Sequence, residues 1–216
     1  RESVGRIIET LRSVRKQKKI FLFLIAFFFF IDGVYTIIDM ATAYGSALGL
    51  DSTGLLLALL VTQFVAFPFS ILFGRLAEKY DTGKLILTCI AAYTGITVFA
   101  VFMKAQWQFW VLAIFVGMFQ GGIQALSRSY FAKIVPPERS GEYFGLMDIC
   151  GKGASFMGTT VVGLASQAFG SINIGISAII FLFLAGALFF MKTVHSGSES
   201  TKNQENVIME QQMFHD

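Results

Sequence analysis

The sequence predicts an all-α, polytopic membrane protein with six transmembrane helices. Three observations favour this fold class: 55% of the 216 residues are hydrophobic, only 14% are charged, and 24 are Phe. A soluble domain usually carries about a quarter charged residues, and a water-soluble fold of this size could not hide so much apolar surface. A lipid bilayer is therefore the expected surrounding of the chain.

Long runs without charged residues locate the individual helices. A helix needs roughly 20 apolar residues to cross about 30 Å of hydrocarbon. The last charge-free run, 153–191, would reach nearly twice that thickness, so we expect a turn near Gly170 and Ser171 to divide it. The predicted spans are 20–46, 54–76, 84–103, 108–130, 142–168 and 172–192.

The lysines and arginines predict how these spans are threaded. With a cytoplasmic N-terminus, every basic residue falls on the inner side except Lys104, which is outside, and Lys152, which lies within a span. Such an excess of inner positive charge is the usual signature of orientation. An even number of spans then places both termini in the cytoplasm, and the chain is expected to be a multi-pass integral membrane protein.

The chain divides into three predicted parts. Residues 1–19 are interpreted as a cytoplasmic amphipathic linker helix, 20–192 as the six-helix transmembrane domain, and 193–216 as a polar cytoplasmic tail without fixed structure, apart from a short helix around 207–214. Apolar residues recur at helical spacing over 4–14, with basic residues around them. This linker helix either lies on the inner membrane surface or packs on the cytoplasmic loops.

Polar side chains are unevenly distributed among the spans. Apart from Lys84 and Lys192 at their ends, the third and sixth spans carry no charged residue, whereas the first, second, fourth and fifth carry carboxylates, an ammonium group or amides. Such groups are costly in lipid and should face protein or a watery cavity. We therefore predict that four helices line a polar path, whose candidate substrate and ion residues are Asp32, Thr36, Asp39, Gln63, Gln120, Gln124, Asp148 and Lys152.

Asp32 and Asp39 lie about two helical turns apart on one face, and Asp32 falls near the middle of its span. One interpretation of Asp32 is a titratable group that binds a proton or cation, since burial favours the neutral carboxyl. The alternative is a structural ion pair or a cap for a broken helix.

Two pairs of residues four positions apart each have two interpretations. Asp148 and Lys152 either neutralise each other within one helix or leave Lys152 to meet Asp32 or an anionic substrate. Gln120 and Gln124 either hydrogen-bond a polar solute or join helices.

Small residues and a proline predict local helix geometry. Gly117 and Gly121, and likewise Gly151 with Gly158, predict close-packing faces, and Pro68 predicts a kink in the second helix.

The sequence argues against several other classes of protein. It holds no basic stripe interleaved with aromatics, so we expect no nucleic-acid partner. No set of catalytic residues, no metal-ligand spacing and no nucleotide-binding loop is present, so we expect no enzyme activity, no catalytic residue, no metal and no cofactor. Cys89 and Cys150 are interpreted as inert buried thiols.

Four stretches carry a resemblance to a known family. The loop 74–84, Gly-Arg-Leu-Ala-Glu-Lys-Tyr-Asp-Thr-Gly-Lys, resembles the signature of the major facilitator superfamily, with one extra residue before its second glycine. Residues 29–38, 120–129 and 142–152 are similar to the seventh, tenth and eleventh helices of the autophagy-related vacuolar effluxers and their bacterial relatives. The resemblance covers about 18–192.

This resemblance implies the C-terminal half of a twelve-helix secondary transporter, a half-bundle built from two inverted three-helix repeats. A small-molecule substrate such as an amino acid or metabolite, alternating access, proton coupling and a bacterial cell membrane are the implied properties. The implied partners are the lipid bilayer and an N-terminal six-helix half, with a homodimer of the chain as another way to complete the cavity. A competing interpretation is a non-transporting membrane scaffold or assembly module.

The superfamily signature also implies a set of cytoplasmic gating charges. These would hold neighbouring helices together in one access state and release them in the other. The alternative is that the loop charges only set the topology. The candidate gating residues are Arg75, Glu78, Lys79 and Arg128.

Overall fold

The computed structural model describes the backbone of residues 11–213 and the side chains of residues 11–195. Residues 11–16 are helical, and six long helices follow them. These are α1 Lys18–Ala47, α2 Ser52–Lys79, α3 Thr82–Val101, α4 Gln106–Ile134, α5 Ser140–Phe169 and α6 Ile172–Met213. Each predicted span falls on one of these helices, and the all-α fold class is confirmed.

Specific residues set the ends of the helices. Asp51 and Asp81 precede α2 and α3, and their carboxylates accept hydrogen bonds from the backbone N–H groups of Gly54 (2.7 Å) and Lys84 (2.9 Å). Each carboxylate satisfies an N–H group that has no partner within the first turn of its helix. Between α5 and α6, Gly170 adopts a φ of 64°, which glycine tolerates without steric cost. The predicted turn near Gly170 is therefore confirmed.

Five of the helices, α1 to α4 and the first part of α6, are long and apolar enough to cross a membrane. Helix α5 is just as long but more polar, so its place in the bilayer follows from its neighbours instead. It runs parallel to α1: Tyr143 near its start contacts Gln17, and Gly158 further along contacts Asp32. Helix α5 therefore traverses the same layer as α1, which is a candidate span along its whole length.

The helix contacts have an internal symmetry. Helix α1 packs chiefly against α5 and α6, while α4 packs chiefly against α2 and α3, and α3 also meets α6. The first helix of each three-helix unit thus packs against the second and third helices of the other unit. This exchange is the arrangement expected of two three-helix repeats related by inversion.

Helices α2 and α4 approach each other closely enough for backbone contact. A methyl group on Gly117 would lie 2.6 Å from the carbonyl oxygen of Thr62, and one on Gly121 would lie 2.5 Å from the carbonyl oxygen of Ala66. Real side-chain carbons do not come so near. The predicted close-packing role of these two glycines is therefore confirmed.

Phenylalanine serves both the interior and the outer surface. Phe23 and Phe183 are fully buried, and their rings stack on Phe131 and Tyr93 at centroid distances of 5.2 Å and 5.5 Å. Phe181, in contrast, is 73% exposed. An outer surface that presents large aromatic groups suits acyl chains rather than water.

The sixth helix is longer than the sequence predicted. Its apolar part, Ile172–His195, agrees with the predicted span, but the backbone stays helical to Met213, where we expected a tail without fixed structure apart from a short helix around 207–214. The added segment is rich in Glu, Gln and Met, which are good helix formers, so it can form a helix without an apolar face.

The second helix contains the proline for which a kink was predicted. Helix α2 continues through Pro68 as one helix.

The linker before α1 is described only from residue 11, so the part of the predicted amphipathic helix at residues 4–10 lies outside the described residues. Within the described part, Val14 is 1% exposed and belongs to the hydrophobic core. The hydroxyl of Tyr143 on α5 accepts a hydrogen bond from Gln17 Nε2 at 3.0 Å. The end of the linker thus packs on the transmembrane helices.

Candidate functional site: a polar cavity between α1, α4 and α5

A cavity of about 530 Å³ opens between three helices, and its wall is unusually polar for a membrane domain. Two carboxylates and two cations line it, together with an amide and two hydroxyl groups. The polar lining residues are Tyr35 and Asp39 from α1, Gln124 and Arg128 from α4, and Asp148, Lys152 and Ser155 from α5. Five of these seven residues were predicted from the sequence as pathway or gating residues.

An ion pair joins α4 to α5 across this cavity. Arg128 Nη2 donates to Asp148 Oδ1 at 2.7 Å, and about half of each side chain is exposed. The sequence-based pairing of Asp148 with Lys152 is therefore wrong for this conformation. An i,i+4 pair on a helix surface contributes only about 0.3–0.5 kcal/mol, so a guanidinium from a facing helix displaces it readily.

Lys152 has no ion-pair partner among the described side chains, and its ammonium group lies on the cavity wall. The predicted contact between Lys152 and Asp32 does not form in this conformation. Asp39, the other charged wall residue, accepts a hydrogen bond from Ser155 Oγ at 2.7 Å. This contact links α1 to α5. Since Asp39 is bonded to Ser155 and Asp148 to Arg128, Lys152 is left without a counter-ion among the described residues.

Asp32 lies beside the cavity but is entirely buried. Its Oδ1 accepts hydrogen bonds from the backbone N–H of Gly158 at 2.8 Å and from Thr36 Oγ1 at 3.4 Å. Its other oxygen, Oδ2, has no hydrogen-bond partner. Both hydrogen bonds to Asp32 come from neutral groups. The structural ion pair considered from the sequence is therefore not present among the described residues.

The remaining predicted pathway residues lie elsewhere. Thr36 is buried beside Asp32. Gln63 is exposed on α2 and does not line the polar cavity. No other residue of α2 lines this cavity either, contrary to the expectation that α2 would contribute to it. Gln120 lies one turn before Gln124, and its Oε1 is buried without a partner. Helices α3 and α6 contribute nothing to the cavity, as the absence of charge from the interior of their predicted spans indicated.

The predicted gating charges do not form one cluster in this conformation. Arg75, Glu78 and Lys79 are exposed near the end of α2, and no ion pair joins them within the part of the chain whose side chains are described. Arg128 instead lies on the cavity wall with Asp148. Arg128 is thus a cavity residue in this conformation, and the gating role of the four charges stays a prediction.

Sequence reasoning missed two residues of this region, Tyr35 and Ser155, which line the cavity. It singled out Gly158 only as a close-packing residue and not as the donor of the N–H group that faces Asp32. Tyr35 lies one turn after Ile31 and one turn before Asp39, so its helical spacing from Asp39 was a usable signal. The partners of Ser155 and Gly158 are 116 and 126 positions away, and no local pattern reveals them.

An all-helical membrane domain with a charged cavity of about 530 Å³ between its helices has the features of a solute transporter. The comparison with known sequences agrees with this class. The family model described as "Vacuole effluxer Atg22 like" matches residues 2–202, and the chain belongs to this family. The major facilitator branch that the loop and helix motifs indicated is thus confirmed.

Individual relatives agree with the family. The chain is 43% identical over 204 residues to the uncharacterized MFS-type transporter YxiO of Bacillus subtilis, covering 94% of this chain and 48% of the relative. It is 26% identical over 198 residues to autophagy-related protein 22 of Cryptococcus neoformans, covering 84% and 35%. The same protein of Saccharomyces cerevisiae is 29% identical over 178 residues, covering 74% and 33%. The chain spans half or less of the length of these relatives.

Proposed function

We propose that this chain is the C-terminal half of a secondary active transporter that moves a small polar solute across a bacterial cell membrane by alternating access. The observation that carries the proposal is the charged cavity between α1, α4 and α5. Two cations and two carboxylates on membrane-crossing helices are costly unless water or a solute reaches them. Membership of an effluxer family supports the same conclusion.

The cavity suits a solute that carries both charges, such as an amino acid or a similar zwitterionic metabolite. The ammonium group of Lys152 is available for an anionic group, and the exposed Arg128–Asp148 pair can be exchanged for contacts with a solute. A half-exposed ion pair contributes only about 0–1 kcal/mol, so opening it costs little. Proton coupling is assigned to Asp32, a buried carboxylate with no cation bonded to it.

The second half of the pathway is assigned to an N-terminal six-helix unit. The three-helix wall described above covers only one side of the polar residues, and Lys152 and Asp148 are exposed when the chain stands alone. A facing unit would close the cavity, as the relatives of roughly twice this length allow. With both termini of the present chain in the cytoplasm, that unit would precede it in the same orientation.

The test is counterflow in proteoliposomes that contain the full-length transporter to which this chain belongs. Vesicles preloaded with each of a panel of amino acids and small organic ions are given the labelled form of the same compound. We expect accumulation for at least one zwitterionic compound, reduced at least about tenfold in Arg128→Gln and unchanged in Lys104→Gln, since Lys104 lies far from the cavity. Absence of counterflow for every compound, with a normally folded protein, would favour the scaffold interpretation.

A further inference from the structure

A second cavity, apolar and about 580 Å³ in volume, lies where residues 11–16 meet α1 and α5. Phe21, Ile25 and Phe28 on α1, with Leu146 and Cys150 on α5, form its walls. The lining of α1 extends over two turns, from Phe21 to Phe29, which is about 12 Å along the helix axis. The cavity is therefore a groove that runs from the end of the span toward the membrane interior. We call it the acyl groove.

The mouth of the acyl groove is basic. Arg15 lines the groove at the end nearest the membrane surface, just before α1 begins at Lys18. Residues 11–19 contain four further charges, all positive: Arg12, Lys16, Lys18 and Lys19. None of these five groups has an ion pair within the described residues. The nearest acidic candidate at this end of α5, Glu142, is bonded to Arg139 at 2.7 Å.

The position of Arg15 over the groove is held by contacts on either side of it. The hydroxyl of Tyr143 on α5 is 3.0 Å from Gln17 Nε2, which donates to it, and 3.3 Å from Ser13 Oγ. Val14, between them, is buried in the core. The segment that carries the basic groups is therefore fixed to α5 next to the apolar walls of the groove.

We propose that the acyl groove binds an anionic phospholipid, with its phosphate at Arg15 and one acyl chain between α1 and α5. An apolar channel that opens at a cluster of cations fits a molecule with a negatively charged head and a hydrocarbon tail. A basic residue at a membrane surface contributes roughly 1 kcal/mol of attraction to anionic lipid. The bound lipid would then tie the linker before α1 to the parallel pair α1 and α5, which carries most of the polar cavity.

Lipid binding is measured by native mass spectrometry of the delipidated chain in detergent. The three probes are phosphatidylglycerol, phosphatidylcholine with the same acyl chains, and glycerol phosphate, which has the anionic group but no tail. We expect phosphatidylglycerol to bind at least about tenfold more tightly than phosphatidylcholine, and glycerol phosphate not to bind. Equal binding of the two lipids, or binding of glycerol phosphate alone, would overturn the proposal.

Two pairs of variants locate the lipid. Arg15→Gln should weaken phosphatidylglycerol binding about fivefold. Lys104 lies between α3 and α4, at the end of the helix bundle opposite to Arg15, so Lys104→Gln should leave binding unchanged. Ile25→Trp should fill the groove and abolish binding, while Ile114→Trp, on the outer surface of α4, should not. Melting temperatures identify any variant that fails to fold. Unaltered binding in both Arg15→Gln and Ile25→Trp would contradict the site.

The same titration on the full-length transporter separates a lipid from a protein occupant. If the preceding six-helix half covers the groove, phosphatidylglycerol will bind to the present chain but not to the full-length protein, and that result overturns the proposal. Binding to both, with the same response to Arg15→Gln, supports it. Counterflow activity is not needed for this readout, so its outcome is independent of the transport function proposed above.

Discussion

Gly158 on α5 donates its backbone N–H to the buried carboxylate of Asp32 on α1, with 2.8 Å between nitrogen and oxygen. A methyl group on Gly158 would overlap both this carboxylate and the hydroxyl of Thr36. The glycine therefore has two roles: it lets α5 approach α1, and it presents an N–H group to a carboxylate that has no charged partner.

The first prediction concerns the close approach at Gly158. Gly158→Ala should destabilise the protein by about 1–3 kcal/mol, because the added methyl must push Asp32 and α5 apart. Melting in detergent measures the change. Gly153→Ala is the matched control: the same helix would receive the same methyl, but no atom lies within 4 Å of it. That control should be neutral or slightly stabilising, since alanine favours a helix over glycine by about 0.5–1 kcal/mol. Equal melting temperatures for the two variants would refute the steric argument.

The second prediction concerns Asp32 as the site of proton coupling. Asp32→Asn keeps an oxygen that can accept the N–H of Gly158, so the fold should persist, but it removes the titrating group. We expect accumulation driven by a pH gradient to be lost in proteoliposomes, whereas counterflow, which needs no net proton movement, should continue.

Asp51→Asn is the control for Asp32, because it neutralises an exposed carboxylate outside the cavity and asparagine can still cap α2. It should retain accumulation driven by the pH gradient. If the Asp32 variant retained it as well, Asp32 would be a structural residue only.

The third prediction concerns the ion pair between α4 and α5. The side chains of Arg128 and Asp148 are 2.7 Å apart. Either single change, Arg128→Asp or Asp148→Arg, would therefore place two like charges next to each other and should reduce transport at least about tenfold. The double variant with the charges exchanged should recover part of the activity. Because both side chains are about half exposed, the effect on the free energy of unfolding should stay near 0–1 kcal/mol for removal of either charge by Gln or Asn. Failure of the exchanged pair to exceed both single variants would argue that the residues act separately.

The fourth prediction concerns Lys152, the cavity cation without a protein partner. Lys152→Gln should raise the KM for an anionic or zwitterionic solute at least about tenfold, while Lys152→Arg retains most of the affinity because the charge is kept. Melting temperature should hardly change, since no ion pair of the described residues is lost. A KM that is the same in the Gln variant, or a loss of stability that accounts for the loss of transport, would exclude Lys152 from solute binding.

The fold could be read from the sequence because the membrane imposes it. Runs of apolar residues between charged loops predicted all six helices, and Gly170 marked the turn between the last two. The extension of α6 to Met213 escaped prediction because hydropathy reports the span and not the helix. In the polar segment after the span, helix propensity decides the conformation, and that signal is weak.

The candidate site was harder to predict than the fold. Rarity of charge in the spans selected Asp39, Asp148 and Lys152 correctly as cavity residues, since polar groups avoid lipid. The partners of these groups were harder to predict because spacing along one helix says nothing about the facing helix. The sequence left two interpretations of Asp148 and Lys152 open, and neither of them placed Arg128 beside Asp148.

The last prediction tests the internal symmetry of the helices, in which α2 with α4 corresponds to α5 with α1. If Gly121 is the counterpart of a close-packing glycine such as Gly158, then Gly121→Ala should also destabilise the protein, by about 1–3 kcal/mol. Its methyl would lie 2.5 Å from the carbonyl oxygen of Ala66, and a backbone atom cannot turn aside as a side chain can. Gly95→Ala on α3, where no atom lies within 4 Å, is the control and should melt no earlier than the unaltered protein. Because the atoms nearest to Gly121 belong to α2 and those nearest to Gly158 belong to α1, the costs of Gly121→Ala and Gly158→Ala should add within about 0.5 kcal/mol in the double variant. A marked departure from additivity would show that the pair α2 and α4 and the pair α1 and α5 move as one unit. The internal symmetry would then describe how the helices move as well as how they pack.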